Sequence, residues 1–131
     1  MTVHVRLRAA LLLLAPLQAD LATAGEEPAP AGIKHVVLCW LEEPGNAEHR
    51  RRVSEVSREL VMIPEVQDLA VGTAVPSERP IVEDTFDIGL VMTFRDEAAL
   101  NTYLDHPEHV RRVQDTLGPL CARVQVLDIR Y

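Results

Sequence analysis

The sequence FDIGLVMTF, residues 86–94, decides the fold because its large apolar side chains occupy every second position. Those side chains belong to Phe86, Ile88, Leu90, Met92 and Phe94. Successive side chains of a β-strand point to opposite faces of the sheet, so this spacing predicts a strand with one face in the core. The regularity of the alternation favours a central position in the sheet.

Two further strands and a helix are predicted upstream of this stretch. Residues Ile33–Trp40 are rich in β-branched side chains, which favour strands. Residues Ala47–Met62 carry one apolar stripe at helical spacing, and Pro64 ends that helix because proline cannot continue it. Residues Val66–Val75 alternate again and predict a second strand, which a polar loop at 76–83 follows.

Downstream, the chain is predicted to form two short helices and a last strand. Asp96 is suited to be the N-cap of a helix that runs to Leu104. His106-Pro107 starts the next helix, because proline is favoured at the first helical position, and Gly118-Pro119 ends it. Residues Cys121–Ile129 alternate and predict a fourth strand.

The predicted order of elements is βαββαβ, the α+β ferredoxin-like arrangement of a four-stranded antiparallel sheet with its helices on one face. Both faces of Ile33–Trp40 are nevertheless largely apolar, so the face without helices requires a partner. Most soluble oligomers are closed and symmetric. We therefore expect a homodimer in which two sheets pack face to face as a dimeric α+β barrel.

Residues 1–24 are typical of a signal peptide rather than of a folded element. Two arginines precede an apolar run at 9–17, and Ala22-Thr23-Ala24 fits the small-x-small pattern of a cleavage site. Residues 25–32 then predict a proline-containing linker, and the domain is expected to span 33–131. The apolar run is too short to span a bilayer comfortably, so we expect a secreted or periplasmic protein without stable membrane insertion.

The composition argues against nucleic acid as a partner. The formal net charge is −7 at pH 7, whereas nucleic-acid-binding domains carry basic surface to displace counterions from phosphates. Only 4% of the residues are aromatic, which argues against a platform for stacking bases.

Residues 103–111, YLDHPEHVR, place proton-handling side chains beside a forced break in the backbone. His109 could remove a proton next to a carbonyl group while Tyr103 donates a hydrogen bond to the carbonyl oxygen. His35 on the first strand and Asp128 on the fourth are expected to pair across antiparallel neighbours and to orient the site. The competing interpretation is structural: Tyr103 fills the core, His109 satisfies a protein partner, and the His35–Asp128 pair fixes the sheet register.

His106 and His109, with Glu108 between them, resemble metal ligands in spacing alone. His106 is expected to cap the helix, and the sequence offers no evident third ligand. We therefore expect neither a metal nor a cofactor.

Two cysteines in an exported chain invite a disulfide between Cys39 and Cys121. However, an antiparallel register that pairs His35 with Asp128 places Cys121 on the opposite face of the sheet from Cys39. We therefore expect two buried thiols. A bulge near Gly118-Pro119 is the feature that would restore the bridge.

From Ile33 to about Ile129 the chain resembles the stress-responsive A/B barrel (Dabb) family of dimeric α+β barrel proteins. The resemblance rests on KHVVL at 34–38, IPEV at 63–66, FDIGLVMTF at 86–94, YLDHPEHV at 103–110 and DI at 128–129. A plant member of this family closes a linear polyketide by an intramolecular aldol condensation. The resemblance implies that its catalytic tyrosine and histidine correspond to Tyr103 and His109, and its supporting histidine and aspartate to His35 and Asp128.

These features together predict a Dabb protein that binds a small, largely apolar ligand in a cleft between the helices and the sheet. Tyr103 and His109 would form the polar end of that cleft. Two alternatives are open. One is a polyketide cyclase or related lyase that uses the same two residues as an acid–base pair, and the other is a structural homodimer without a ligand.

Overall fold

A computed structural model of the chain describes residues 32–131, so the predicted signal peptide and nearly all of the predicted linker lie outside the described residues. The elements are β1 Ile33–Leu41, α1 Ala47–Arg58, β2 Asp68–Gly72, β3 Ile88–Phe94, α2 Glu97–Asp105, α3 Pro107–Arg112 and β4 Cys121–Arg130. A 3-10 turn at Glu59–Met62 extends α1, and a π turn at Val113–Leu117 extends α3. This order confirms the predicted ferredoxin-like fold.

The four strands form one antiparallel sheet in the order β2-β3-β1-β4. The inner face, which includes Val37, Leu90 and Met92, packs against the helices and forms the core. No helix in the described part of the chain is long and apolar enough to cross a membrane.

The outer face of the sheet carries apolar side chains that no helix covers. It includes Val36 and Leu38 of β1, which are half-buried, and Val91 of β3, which is 40% exposed. On β4, Leu127 and Ile129 are exposed on the same face. An apolar surface of this extent on one side of a sheet is typical of a face that packs against another chain.

Side-chain caps set the starts of the helices, as the sequence predicts for two of them. The Asp96 carboxylate accepts a hydrogen bond of 2.8 Å from the backbone N–H of Ala99 and starts α2. His106 caps α3 through its Nδ1 atom, which accepts from the N–H of Glu108, and Pro107 follows at the first helical position.

The largest differences from the predicted element boundaries are in β2, β3 and the helical segment before β4. β2 is shorter, and β3 begins at Ile88, two residues after Phe86, whose ring packs edge-to-face against Trp40. Gly118-Pro119 does not end the helical segment, which continues as a short turn to Leu120. Proline is tolerated in the first turn of a helix, where its missing N–H would have no intrahelical partner.

The prediction of two free thiols is wrong, because Cys39 and Cys121 form a disulfide. β1 and β4 hold the predicted register as far as Trp40 opposite Arg123, but Leu41 then lies opposite Cys121. Ala122 is therefore an extra residue in a β-bulge, a few residues after the position considered in the sequence. The bulge turns Cys121 to the inner face, where it reaches Cys39 across strands with a Cα–Cα distance of 5.7 Å.

Candidate functional site

The predicted pair of His35 and Asp128 lies at one side of the site. The two residues are opposite each other on β1 and β4, and Nδ1 of His35 donates a hydrogen bond of 2.6 Å to Oδ1 of Asp128. His35 is only 5% exposed, whereas 48% of the Asp128 side chain is exposed. The hydrogen bond fixes the His35 ring and leaves its Nε2 atom free to accept.

Tyr103 lies near the end of α2 and is the largest fully buried side chain of the described residues. Its ring centroid is 4.9 Å from that of Phe94 and 6.1 Å from that of His35. Burial raises the pKa of the Tyr103 phenol well above its ordinary value, and no hydrogen bond from residues 32–131 opposes that shift. The hydroxyl therefore stays protonated at neutral pH, as a hydrogen-bond donor that has no acceptor within residues 32–131.

His109 lies on α3, and its ring centroid is 4.5 Å from that of Tyr103. Six residues along an unbroken helix turn a side chain by about 240°, which would point these two rings away from each other. The break at His106-Pro107 redirects the backbone and brings the rings together. The local sequence thus builds this contact, because the capping histidine and the proline are what separate α2 from α3.

The hydrogen bonds of His109 leave one ring nitrogen as a potential base. Its Nδ1 atom donates to the backbone carbonyl oxygen of Leu104 at 2.9 Å, so the neutral ring carries its free lone pair on Nε2. Burial lowers the pKa of His109 from 6.5, and the positive charges that His35 and His106 can carry lower it further. The hydrogen bond to Leu104 acts in the opposite direction, and burial outweighs it.

These rings lie in the wall of a cavity of about 360 Å³ between the helices and the inner face. All four predicted site residues line this cavity. The other walls are mainly apolar and include Val37, Leu60, Leu90, Met92, Leu104, Val113, Leu117, Val124 and Val126. The cavity thus combines an apolar body with a few convergent polar groups, as small-molecule sites commonly do.

Arg112 closes part of this cavity and was not predicted from the sequence. Its guanidinium group pairs with Glu59 at 3.0 Å and with Glu108 at 3.1 Å, and its side chain is only 13% exposed. The two carboxylates offset the charge of the guanidinium group, so Arg112 offers little charge to a bound anion. Its role in the cavity is to close part of the wall. Its spacing of three residues from His109 was the available signal in the sequence.

Metal-ligand geometry is not found in this region. Among residues 32–131, no group of three or more histidine, cysteine, aspartate or glutamate residues could hold a metal ion. His106 is engaged as a helix cap through Nδ1.

We expect the imidazole of His109 to titrate with a midpoint below 6.5, measured by NMR of the assigned ring protons. The unfolded chain then binds more protons than the folded chain as the pH falls below 6.5. His109 therefore lowers the free energy of unfolding progressively from about pH 6.5 down to its folded pKa, and has no such effect above that range. In His109→Gln this part of the pH dependence should vanish; an unchanged dependence would contradict the assignment.

Comparison with known proteins supports the same fold and family. The family model described as the stress responsive A/B barrel domain matches residues 33–131. No curated protein matches the chain by sequence.

Solved structures with similar folds come from bacteria and from a plant. A Dabb family protein with a ferredoxin-like fold from Mesorhizobium loti is 25% identical, with a TM-score of 0.63, and the alignment covers 76% of this chain and 95% of that one. A dimeric ferredoxin-like protein of unknown function from Thermobifida fusca is 21% identical, with a TM-score of 0.63 and coverage of 79% and 93%. The hydroxynitrile lyase of Passiflora edulis is 20% identical, with a TM-score of 0.64 and coverage of 78% and 94%. Together with the family match, these likenesses confirm the resemblance seen in the sequence, and the chain belongs to the stress responsive A/B barrel domain family.

Proposed function

We propose that this protein is an exported homodimer that binds a small, largely apolar ligand in the cavity between its helices and its sheet. The observation that carries this proposal is the Tyr103 hydroxyl, a protonated donor without an acceptor in residues 32–131, in the wall of an otherwise apolar cavity. Because Tyr103 lines the cavity, a ligand that supplies an acceptor can take the hydrogen bond that the hydroxyl does not make within the described residues.

The chemistry of the cavity indicates the class of ligand. Tyr103 donates a hydrogen bond, and Nε2 of His109 accepts one. A neutral molecule with an apolar body and a hydroxyl group at one end can satisfy both, whereas a carbonyl group at that end accepts from Tyr103 alone. An anionic ligand is disfavoured, because Asp128 lines the cavity and the charge of the Arg112 guanidinium is already offset by Glu59 and Glu108.

Homodimer formation is proposed from the bare outer face of the sheet. Its apolar side chains lie on adjacent strands and form a continuous surface. Relatives of similar fold from Bacteroides fragilis and Thermobifida fusca are described as dimeric. Two outer faces packed against each other would bury this surface in an interface that is its own complement.

Export is proposed from the signal-peptide pattern at 1–24 and is supported by the disulfide. Disulfides persist in oxidising compartments outside the cytoplasm. The test is the N-terminal sequence of the protein recovered from the periplasm or medium of its native cell, which we expect to begin at Gly25. A chain that keeps its first 24 residues, or that stays in the cytoplasm, would contradict export.

A second candidate function is lyase or aldol chemistry, favoured by the contact between Tyr103 and His109. With its lowered pKa, His109 is neutral at pH 7, and Nε2 could take a proton from the carbon next to a carbonyl group. The Tyr103 hydroxyl would stabilise the enolate oxygen through its hydrogen bond. The hydroxynitrile lyase from Passiflora edulis has a similar fold, so a protein of this architecture can carry a lyase activity.

Calorimetric titration with aryl ketones tests ligand binding and separates it from catalysis. We expect Tyr103→Phe to weaken binding by up to about tenfold, the value of one hydrogen bond, and His109→Gln to weaken it only modestly. If the protein is a lyase or aldol enzyme, His109→Gln should also lower the turnover rate of a substrate by about 10² to 10⁴-fold, while the substrate still binds. The control is Val110→Ala on α3, since Val110 does not line the cavity.

Failure to detect binding by the wild-type protein across small aromatic ketones, aldehydes and β-keto compounds would contradict the proposal. It would leave the structural dimer as the better account, with Tyr103 and His109 as packing groups.

A further inference from the structure

A second cavity adjoins the first and shares two lining residues with it. We call the cavity that Tyr103 and His109 line the chamber, and the second one the vestibule. The vestibule has a volume of about 410 Å³ and is bordered by α2, β1 and β4. Leu104 and Asp128 line both spaces, so these two side chains form the wall between them.

The histidines of the site anchor both residues of this wall. His109 donates to the backbone carbonyl of Leu104 at 2.9 Å, and His35 donates to the carboxylate of Asp128 at 2.6 Å. These hydrogen bonds fix the Asp128 carboxylate and the backbone of Leu104, although both side chains are partly exposed. Asp128 lies opposite His35 in the ladder between β1 and β4, so the sheet also fixes its backbone. The Leu104 side chain has no polar atom, so it can be shortened without breaking a hydrogen bond.

The two spaces differ in chemistry. The chamber is mainly apolar, whereas the vestibule is lined by Glu97, Asn101, Asp128 and Arg130. Glu97 and Arg130 form an ion pair with each other. Asp128 thus leaves an excess of negative charge, so the vestibule suits a neutral or cationic group better than a carboxylate.

We infer that Leu104 determines ligand specificity by limiting how long a ligand the chamber accepts. This inference rests on the proposed ligand-binding function. A ligand whose apolar body runs from Tyr103 and His109 towards the vestibule meets the Leu104 side chain, which lines both spaces. A smaller residue at this position joins the chamber to the vestibule and admits a longer chain, whereas a larger residue shortens the accepted length.

The test is a calorimetric titration of phenyl alkyl ketones whose alkyl chains increase one carbon at a time. For the wild-type protein we expect affinity to rise about fourfold with each added methylene until the chain reaches the wall, and then to fall. Leu104→Ala should move this limit by at least two carbons towards longer chains, and Leu104→Phe should move it towards shorter ones. Val110→Ala is the matched control, since Val110 is 38% exposed and Leu104 36%, and Val110 lines neither space.

A second arm tests the vestibule by itself. In Leu104→Ala, a long-chain ketone that ends in a hydroxyl group should bind at least tenfold more tightly than the same ketone that ends in a carboxylate. Equal affinities would contradict the assignment of a negative vestibule.

The outcomes separate the inference from the proposed function. If the wild-type protein binds the ketones and the length limit is the same in Leu104→Ala, the inference is overturned and the proposed function stands. If no ketone binds to the wild-type protein, the proposed function fails and the inference fails with it. Crystal structures of Leu104→Ala give a readout that needs no ligand, because the two cavities should appear as one; two separate cavities would also overturn the inference.

Discussion

Replacing Cys39 and Cys121 together by alanine is expected to lower the free energy of unfolding by about 4.5 kcal/mol. The disulfide joins residues separated by 82 positions, so it removes a large loop-closure entropy from the unfolded chain. Both cysteines are buried, and alanine fills most of their space without adding a polar group. Urea denaturation of the protein measures the change.

Two controls separate the bridge from the packing of the sulfur atoms. A reductant should destabilise the wild-type protein by a similar amount and leave the double variant unaffected. Cys121→Ala alone should cost nearly as much as the double substitution, because either change breaks the same bond. Additive effects of the two single variants, together with a wild-type protein that is insensitive to reductant, would contradict this account.

Val91→Glu is expected to dissociate the proposed homodimer. Val91 lies on β3 between Val36 and Ala70, near the middle of the bare outer face. A symmetric interface would bury two unpaired carboxylates, at a cost of about 4 kcal/mol or more, which raises the dissociation constant by about a thousandfold. Sedimentation velocity at micromolar concentration should find dimers of the wild-type protein and monomers of the variant.

The substitution should leave each monomer folded, because Val91 is 40% exposed in a single chain and glutamate can reach water there. Circular dichroism checks this point. Val110→Glu on α3 is the matched control, with a similar exposure of 38% on the opposite side of the molecule, and it should remain dimeric. A wild-type protein that sediments as a monomer, or a Val91→Glu variant that stays dimeric, would refute the face-to-face dimer.

The sequence was sufficient to predict the order of elements and the backbone break at the site. Alternation at residues 86–94 and the helix-starting signals at Asp96 and His106-Pro107 are local, and local patterns are what a sequence records directly. The pairing of His35 with Asp128 also followed, since it requires only that β1 and β4 be antiparallel neighbours. The contact between Tyr103 and His109 was consistent with the predicted break.

Two features could not be derived in the same way. The β-bulge at Ala122 has no signal of its own, because alternation continues on each side of it, and the disulfide prediction failed for that reason. The walls of the chamber depend on how the 3-10 turn at Glu59–Met62 and the π turn at Val113–Leu117 seat their side chains. Leu60 and Leu117, one from each turn, could therefore be identified as lining residues only from the packed structure.

The bulge in β4 resolves a conflict of parity within that strand. Cys121 and Asp128 are seven residues apart, an odd spacing that puts two residues on opposite sides of a regular strand, yet each has its partner on the same side of β1. The surplus Ala122 makes both partnerships compatible. A related chain with a one-residue deletion at this point would have an even spacing and could keep both, so the covalent link and the histidine–carboxylate pair can be inherited independently of the exact strand length.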